Sequence, residues 1–358
     1  MEDKARKMKH LLSAVLTAFL FVVTAAAHGL DGTSNTDTMS IEKLTVAKLT
    51  PGIHRFRFNP GSRNTGESIW VPIIVVKGEN AGPRLLLTAA VHGDELNGIA
   101  TIHGLLDRVA EQSIAGTLVM LPGINQPGLN ANNRHFVSAG GGGSMTDLNR
   151  IFPGRLSQGS SAERYVAMLW RDVIKDNADY AIDLHTQTRG SDYPLFVFSD
   201  FRNLISKQIA FDLGPDLIKN DPGQSGSLET TMMEIGVPAV TFEIGGPKRW
   251  QPELIDRAVD GLENVMRGLG MLAGPKRQPH VEPVVGANST NIFTDYGGYA
   301  YIHVDLKDRV SQGQALATVV DAYGTVLAEY SSPYDGVVLS VATDPLREPG
   351  AMLVRILH

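Results

Sequence analysis

Short apolar runs alternate along most of this chain with stretches whose apolar residues recur at helical spacing. Residues 70–76 (W-V-P-I-I-V-V), 84–91 (R-L-L-L-T-A-A-V), 117–121, 180–184, 195–198 and 239–244 are brief and rich in aliphatic or β-branched side chains. That is the length and texture of buried strands. Between them, residues 96–112 place Leu96, Ile99, Ala100, Leu105, Leu106 and Val109 on one helical face, and 162–175 and 254–269 also read as helices. Strands alternating with helices predict an α/β sheet covered on both faces. In such sheets ligands gather beyond the carboxyl ends of the strands. His92, His185 and Glu243 each stand at such an end.

Charged groups are costly to bury unless they are paired or bound to metal, so polar residues closing apolar strands ask for a reason. The run at 84–91 leads into H-G-D-E at 92–95. His92 and Glu95, three apart on a turn leaving a strand, can face one ion, with Gly93 permitting a tight backbone. Asp94 is expected to make local hydrogen bonds, and the competing reading of the segment is a solvated loop. At 183–186 (D-L-H-T), strand alternation puts Asp183 and His185 on one face and Leu184 on the other. Asp183 is expected to orient His185. At 241–246 (T-F-E-I-G-G), Glu243 is either an exposed turn carboxylate or a general base beside a metal. Glu229 and Glu234 are rival bases; the strand end and the following glycines favour Glu243. A fourth segment, D-L-N-R-I-F-P-G at 147–154, follows Arg134. Arg150 can hold a substrate carboxylate in a bidentate pair. Arg134 can stabilise an oxyanion; the alternative is surface arginines paired with nearby aspartates. Two His and one Glu with an open fourth position is a known catalytic zinc set, although such nitrogen and oxygen donors also suit other divalent metals.

Composition narrows the classes. The 358 residues contain no cysteine, which excludes disulfides and thiolate metal sites. A formal charge of −6 without long basic runs argues against nucleic acid as a partner. The N-terminus orders a basic segment (4–9), an apolar one (11–23) and small residues up to Ala27. This is the plan of a cleaved secretory signal over 1–27, shorter than a membrane span. It predicts a periplasmic or secreted protein whose mature chain holds no membrane segment. Residues 28–69 read as an N-terminal lead-in, 70–273 as the catalytic domain, 274–283 as a linker and 284–358 as a small all-β module.

Taken in order, H-G-D-E, D-L-N-R-I-F-P-G, D-L-H-T and F-E-I-G-G resemble the succinylglutamate desuccinylase/aspartoacylase family of the zinc carboxypeptidase-like superfamily, over about residues 70–270. The resemblance implies a zinc-carboxypeptidase-like mixed sheet with helices on both faces. It implies one zinc per chain bound by His92, Glu95 and His185, with Glu243 as general base and acid. Asn149 and Arg150 match the pair that holds the substrate carboxylate, and Arg134 the arginine that polarises the scissile carbonyl. The chain departs from the family between Arg134 and Asp147, where S-A-G-G-G-G-S-M-T makes a longer link, expected to act as a lid. Residues 310–324 and 331–338 resemble a biotinyl/lipoyl-type β-barrel. The hairpin 321–325 has no lysine, so no attached biotin or lipoate is expected, and the module is expected to cap the active site.

These features imply a zinc-dependent amidohydrolase that removes an acyl group from a small N-acylated amino acid or related amide. Two alternatives stand beside it: a periplasmic metallocarboxypeptidase trimming peptidoglycan peptides, and a zinc-containing binding protein without turnover. Residues 187–193, 225–231 and the C-terminal module are the expected sources of substrate selectivity.

Overall fold

The alternation of strands and helices resolves into one long mixed sheet. In the computed structural model, residues 38–139 and 144–358 are described, and 38–358 belong to one unit. The expected secretory signal lies outside the described residues. The sheet runs Met39–Ile41, Gly52–Ser62, Ser68–Lys77, Ala115–Leu121, Asn80–Ala89, Tyr180–His185, Ala239–Ile244, Leu195–Ser199, Leu217–Asn220 and Val284–Gly286. Its central four strands, Ala115–Leu121 to Ala239–Ile244, are mutually parallel. Their carboxyl ends therefore open on the same side.

Each face of these strands has its own burden. Leu85, Leu87, Ala89, Ile182, Leu184, Val240, Phe242 and Ile244 point to one face. The helices Asn97–Val109, Leu204–Asp212 and Pro252–Gly268 cover it, burying Ile102, Leu105, Ile209, Val259 and Leu262. A Cβ on Gly98 would stand 2.7 Å from the Leu184 Cβ, so the missing side chain lets the first helix seat directly on the central strand. The opposite face begins apolar, at Leu86, Ala181 and Ala239, under the helices Ser161–Leu169 and Leu228–Glu234. Toward the carboxyl ends it turns polar: Thr88, Asp183, His185, Thr241 and Glu243 are all buried. The helices thus cover both faces, as the sequence pattern requires.

Two boundaries differ from expectation. The stretch assigned to a lead-in supplies Met39–Ile41, Gly52–Ser62 and the start of Ser68–Lys77. Phe56 and Phe58 are buried within it, and Asn177 ties down its backbone by accepting from the Val46 N–H and donating to the Leu44 carbonyl. The first strand of the C-terminal segment, Val284–Gly286, joins the large sheet beside Leu217–Asn220.

Beyond it lie two further sheets around a small apolar core containing Leu316, Val319, Val338, Leu353 and Ile356. One comprises Val326–Ser331, Ala315–Val320, Gly298–Ile302 and Leu346–Arg347. The other comprises Ser289–Phe293, Met352–Leu357, Gly336–Ala342 and Arg309–Val310, and Ser191–Asp192 from the preceding half pairs with its Gly336–Ala342 strand. Tyr193, Phe196, Leu217, Val337, Leu339 and Leu357 form the seam between the halves.

Candidate active site

The strand Asn80–Ala89 ends at Ala90, whose φ of +53° is a left-handed conformation that costs a β-carbon residue roughly 1–2 kcal/mol. Asn125 braces the bend: its N–H donates to the Ala90 carbonyl (3.0 Å) and its Nδ2 to the Val91 carbonyl (3.1 Å). Gly93 answers a close approach, since a Cβ there would stand 2.2 Å from the Gly128 carbonyl carbon. The bend carries His92 and Glu95 over the end of the next strand, where His185 sits.

His92 Nδ1 lies 2.8 Å from Glu95 Oε1, His185 Nδ1 2.9 Å from Glu95 Oε2, and the two Nδ1 atoms 3.1 Å apart. All three residues are buried and their donor atoms converge. The far nitrogens meet carboxylates: His92 Nε2 reaches Asp147 Oδ1 at 3.0 Å and His185 Nε2 reaches Asp183 Oδ2 at 2.7 Å. Thr88 Oγ1 in turn donates to Asp183 Oδ1 at 2.6 Å. Carboxylates on the outer nitrogens fix each ring and direct the inner nitrogen at a common point, the usual support of metal-binding histidines. Burial works against ionised Glu95, yet the facing imidazoles hold its carboxyl well below the ordinary range. Burial also opposes the charged form of His185, but Asp183 and Glu95 raise its pKa well above the usual value. A proton and a divalent ion compete for such a nitrogen.

Glu243 stands beside His185, its partner across the parallel ladder. Its carboxyl is buried, and among the described residues Oε2 has no hydrogen-bond partner. Burial pushes its pKa up to about 8, against the pull of His185. An unsatisfied buried oxygen costs about 1–3 kcal/mol, so its presence here argues for a group that is acted upon in the cleft. The donor set and this orphaned oxygen together fit a catalytic metal site. Of the two rival acids, Glu234 is exposed and lies away from the cleft. Glu229 lines it from the helix Leu228–Glu234, accepting at 2.8 Å from Oγ1 of Thr241, one rung before Glu243.

Arg134 reaches the cluster itself, donating to Glu95 Oε1 at 2.7 Å and Asp147 Oδ2 at 3.4 Å. Asn149 lies against His185 and uses Oδ1 to accept from the Leu228 N–H at 2.9 Å. Arg150 donates to the Asn149 carbonyl at 2.7 Å and faces the cleft. All seven sequence-derived residues line one cleft of about 360 Å3. Its further walls come from Gln187, Thr188, Tyr193, Ser227 and Glu229, and from Ser289, Asn291 and Arg355 of the C-terminal half. Arg355 donates to the Tyr193 hydroxyl and to Asn291 Oδ1. Asp147 and Arg355 were not assigned roles from the sequence. The D-L-N-R segment carried the first in plain view, whereas nothing local marks Arg355. The glycine-rich link is flanked by a small hairpin, Phe136–Ser138 with Ser144–Thr146; residues 140–143, the centre of the expected lid, lie outside the described residues.

Comparison with known proteins supplies an independent line. The model of the succinylglutamate desuccinylase/aspartoacylase catalytic domain matches residues 81–269, more than half of the chain. An N-alpha-acetyl-L-2,4-diaminobutyric acid deacetylase from Halomonas elongata is 29% identical over 76% of this chain and 82% of its own. A succinylglutamate desuccinylase from Pseudomonas aeruginosa is 27% identical over 55% of this chain, which spans only 60% of that relative. Among solved structures, the product-bound ectoine utilization protein EutE (DoeB) from Ruegeria pomeroyi superposes with a TM-score of 0.75 at 26% identity, covering 86% of this chain and 95% of that one. A family protein from Rhodobacter sphaeroides, at 22% identity and a TM-score of 0.75 over 89% and 99% of the two chains, shares the fold.

Proposed function

Since this chain belongs to the succinylglutamate desuccinylase/aspartoacylase family, we propose that it is a zinc-dependent amidohydrolase that releases an acyl group from a small N-acylated amino acid. The observation that carries the reading is the convergence of His92, Glu95 and His185 beside the unpartnered carboxyl of Glu243. The similarity to deacylases of acylated amino acids supports the substrate class.

His92, Glu95 and His185 would hold one zinc per chain. When bound, that ion supplies water acidified toward neutral pH and polarisation of the amide carbonyl. Glu243 takes the proton of the attacking water and delivers it to the leaving nitrogen. To do so it must start ionised, and nearby positive charge lowers the pKa that burial has raised. Arg134 supports negative charge growing on the attacked carbonyl oxygen. Asn149 and Arg150 hold a carboxylate of the substrate; Arg150 forms no ion pair among the described residues and is free to do so. Asp147 and Asp183 keep the two imidazoles aimed.

A cleft of about 360 Å3 walled partly by the C-terminal half favours an amino acid derivative over the longer peptidoglycan peptides of the alternative reading. Nothing in the residue set favours a binding protein, because the ligands and the base are all in place. We further propose, from residues 1–27 alone, that the enzyme is periplasmic or secreted.

The test is metal content together with hydrolysis of a panel of N-acyl amino acids and muropeptides, for wild type and Glu243→Ala. One zinc per chain in both proteins, with turnover of acyl amino acids in wild type alone, is expected. Zinc-loaded wild type without turnover on any of them would overturn the proposal.

A further inference from the structure

The tripeptide Thr186-Gln187-Thr188 follows His185 directly and reaches three parts of the site. The Thr186 N–H donates to Glu95 Oε2 at 3.0 Å. The Gln187 N–H donates at 2.8 Å to the carbonyl of Gly245, two residues past Glu243. Thr188 Oγ1 accepts from Arg134 Nη1 at 3.3 Å. The Gln187 side chain ties this turn to the C-terminal half. Its Oε1 accepts from the Thr188 N–H at 2.7 Å, and its Nε2 donates to Ser340 Oγ at 2.8 Å. Gln187 is 6% exposed and Ser340 0%.

A guanidinium offers five N–H groups in a rigid fork. In Arg134 two of them go to carboxylates, Glu95 at 2.7 Å and Asp147 at 3.4 Å, and a third to Thr188 Oγ1, the one neutral side-chain acceptor among the described residues. Two N–H groups are left for a substrate oxygen. Three separate acceptors fix the rotation of the fork as well as its place; the two carboxylates alone would let it pivot. Arg134, Gln187 and Thr188 line the cleft, whereas Ser340 does not. The hydroxyl of Ser340 therefore acts on the cleft by way of Gln187, its side-chain hydrogen-bond partner.

Resting on the deacylase reading, in which Arg134 supports the growing oxyanion, we propose that Ser340 and Gln187 are positioning residues for Arg134, acting through Thr188. The C-terminal half thus contributes to the chemical step as well as to the walls of the cleft. Donors set in advance where charge develops supply much of the rate enhancement in acyl transfer, and small displacements of a positioned group forfeit it.

The experiment is a double-mutant cycle on the zinc-loaded full chain. It is read by calorimetric binding of methylphosphonate, a tetrahedral oxyanion, and by kcat and KM on the N-acyl amino acid panel. The proteins are wild type, Ser340→Ala, Arg134→Ala and the double variant, each titrated to saturation. Ser340→Ala is expected to weaken methylphosphonate binding and lower kcat by about threefold to tenfold, the effect of one neutral hydrogen bond, at unchanged KM and zinc content. Once Arg134 is alanine it is expected to cost nothing further. Thr188→Val should match Ser340→Ala, and Thr188→Ser should restore wild-type values. Equal losses with and without Arg134, no loss from Ser340→Ala, or a wild type that binds no methylphosphonate overturns the positioning role, while turnover by wild type keeps the deacylase reading. Coupling in methylphosphonate binding without turnover on any acyl amino acid refutes that reading and leaves the positioning role.

Discussion

Replacing Asp183 with asparagine is the sharpest probe of the histidine geometry. Asp183 is 1% exposed, and its two oxygens are engaged by Thr88 at 2.6 Å and His185 Nε2 at 2.7 Å. Asparagine keeps the shape and one acceptor but loses the charge. A hydrogen bond to a charged group contributes about 1.5–3 kcal/mol and a neutral one about 1 kcal/mol, so His185 loses roughly 1–2 kcal/mol of support. That loss falls on the state in which its inner nitrogen is a ligand. Losing an outer-shell carboxylate typically weakens metal binding by about tenfold to a hundredfold, in agreement with the bond-by-bond sum. Zinc affinity of Asp183→Asn, measured by competition with a chromophoric chelator, should fall within that range. Turnover should return in part at saturating zinc. Thermal unfolding in chelator separates a loss of metal from a loss of fold, and Asp147→Asn repeats the test on His92. A folded Asp183→Asn protein with wild-type zinc affinity would refute the assignment of His185 Nδ1 as a ligand.

Three further outcomes follow from the same geometry. Glu243→Gln should lower kcat by about a hundredfold to ten-thousandfold while zinc per chain stays constant; steady-state kinetics beside metal analysis decides it. Arg150→Ala should raise KM for substrates with a free carboxylate by about tenfold or more and leave carboxylate-blocked analogues little changed, an equal effect on both being the contrary result. The third concerns pH. Glu243 and Glu229 titrate near 8 when folded, against 4.5 ordinarily, so between those values the folded chain binds more protons than the unfolded one. Stability from these two groups falls as pH rises through that window, and that from His185 falls as pH rises above 6.5 toward its raised folded pKa. Chelator-treated protein should therefore melt at a lower temperature at pH 8.5 than at pH 5.5; a rise would contradict the assigned burial.

The site was legible where chemistry interrupts periodicity. An apolar strand cannot end in His, Asp or Glu without a reason, and parallel strands collect those ends in one place. The ladder partners His185 and Glu243 needed only that rule. Residues 52–62, inside the stretch assigned to a lead-in, carry only a short alternation: His54, Phe56 and Phe58 point one way, Arg55 and Arg57 the other. Tyr193, Asn291 and Arg355 follow no local pattern, because what unites them is contacts of Arg355 across 162 and 64 positions of chain. Pairing of Arg134 with a nearby aspartate was one of its two readings and is met at Asp147, but nothing local marked its contact with Glu95. The glycine-rich segment that separates it from Asp147 in sequence gives no hint of that proximity.

The two halves of the protein trade edges. Val284–Gly286 covers the last strand of the catalytic sheet, and Ser191–Asp192, from the loop that also bears Gln187 and Tyr193, covers a strand of the C-terminal sheet. An uncovered strand edge invites pairing with another chain, so neither half is a free-standing part. Transplanting the C-terminal half between relatives would carry Val284–Gly286 with it but set Ser191–Asp192 against a foreign strand unless the 187–193 loop travelled too. The paired segments lie far apart in sequence, so recombination at the 274–283 connector alone would part strands that pair only across that seam.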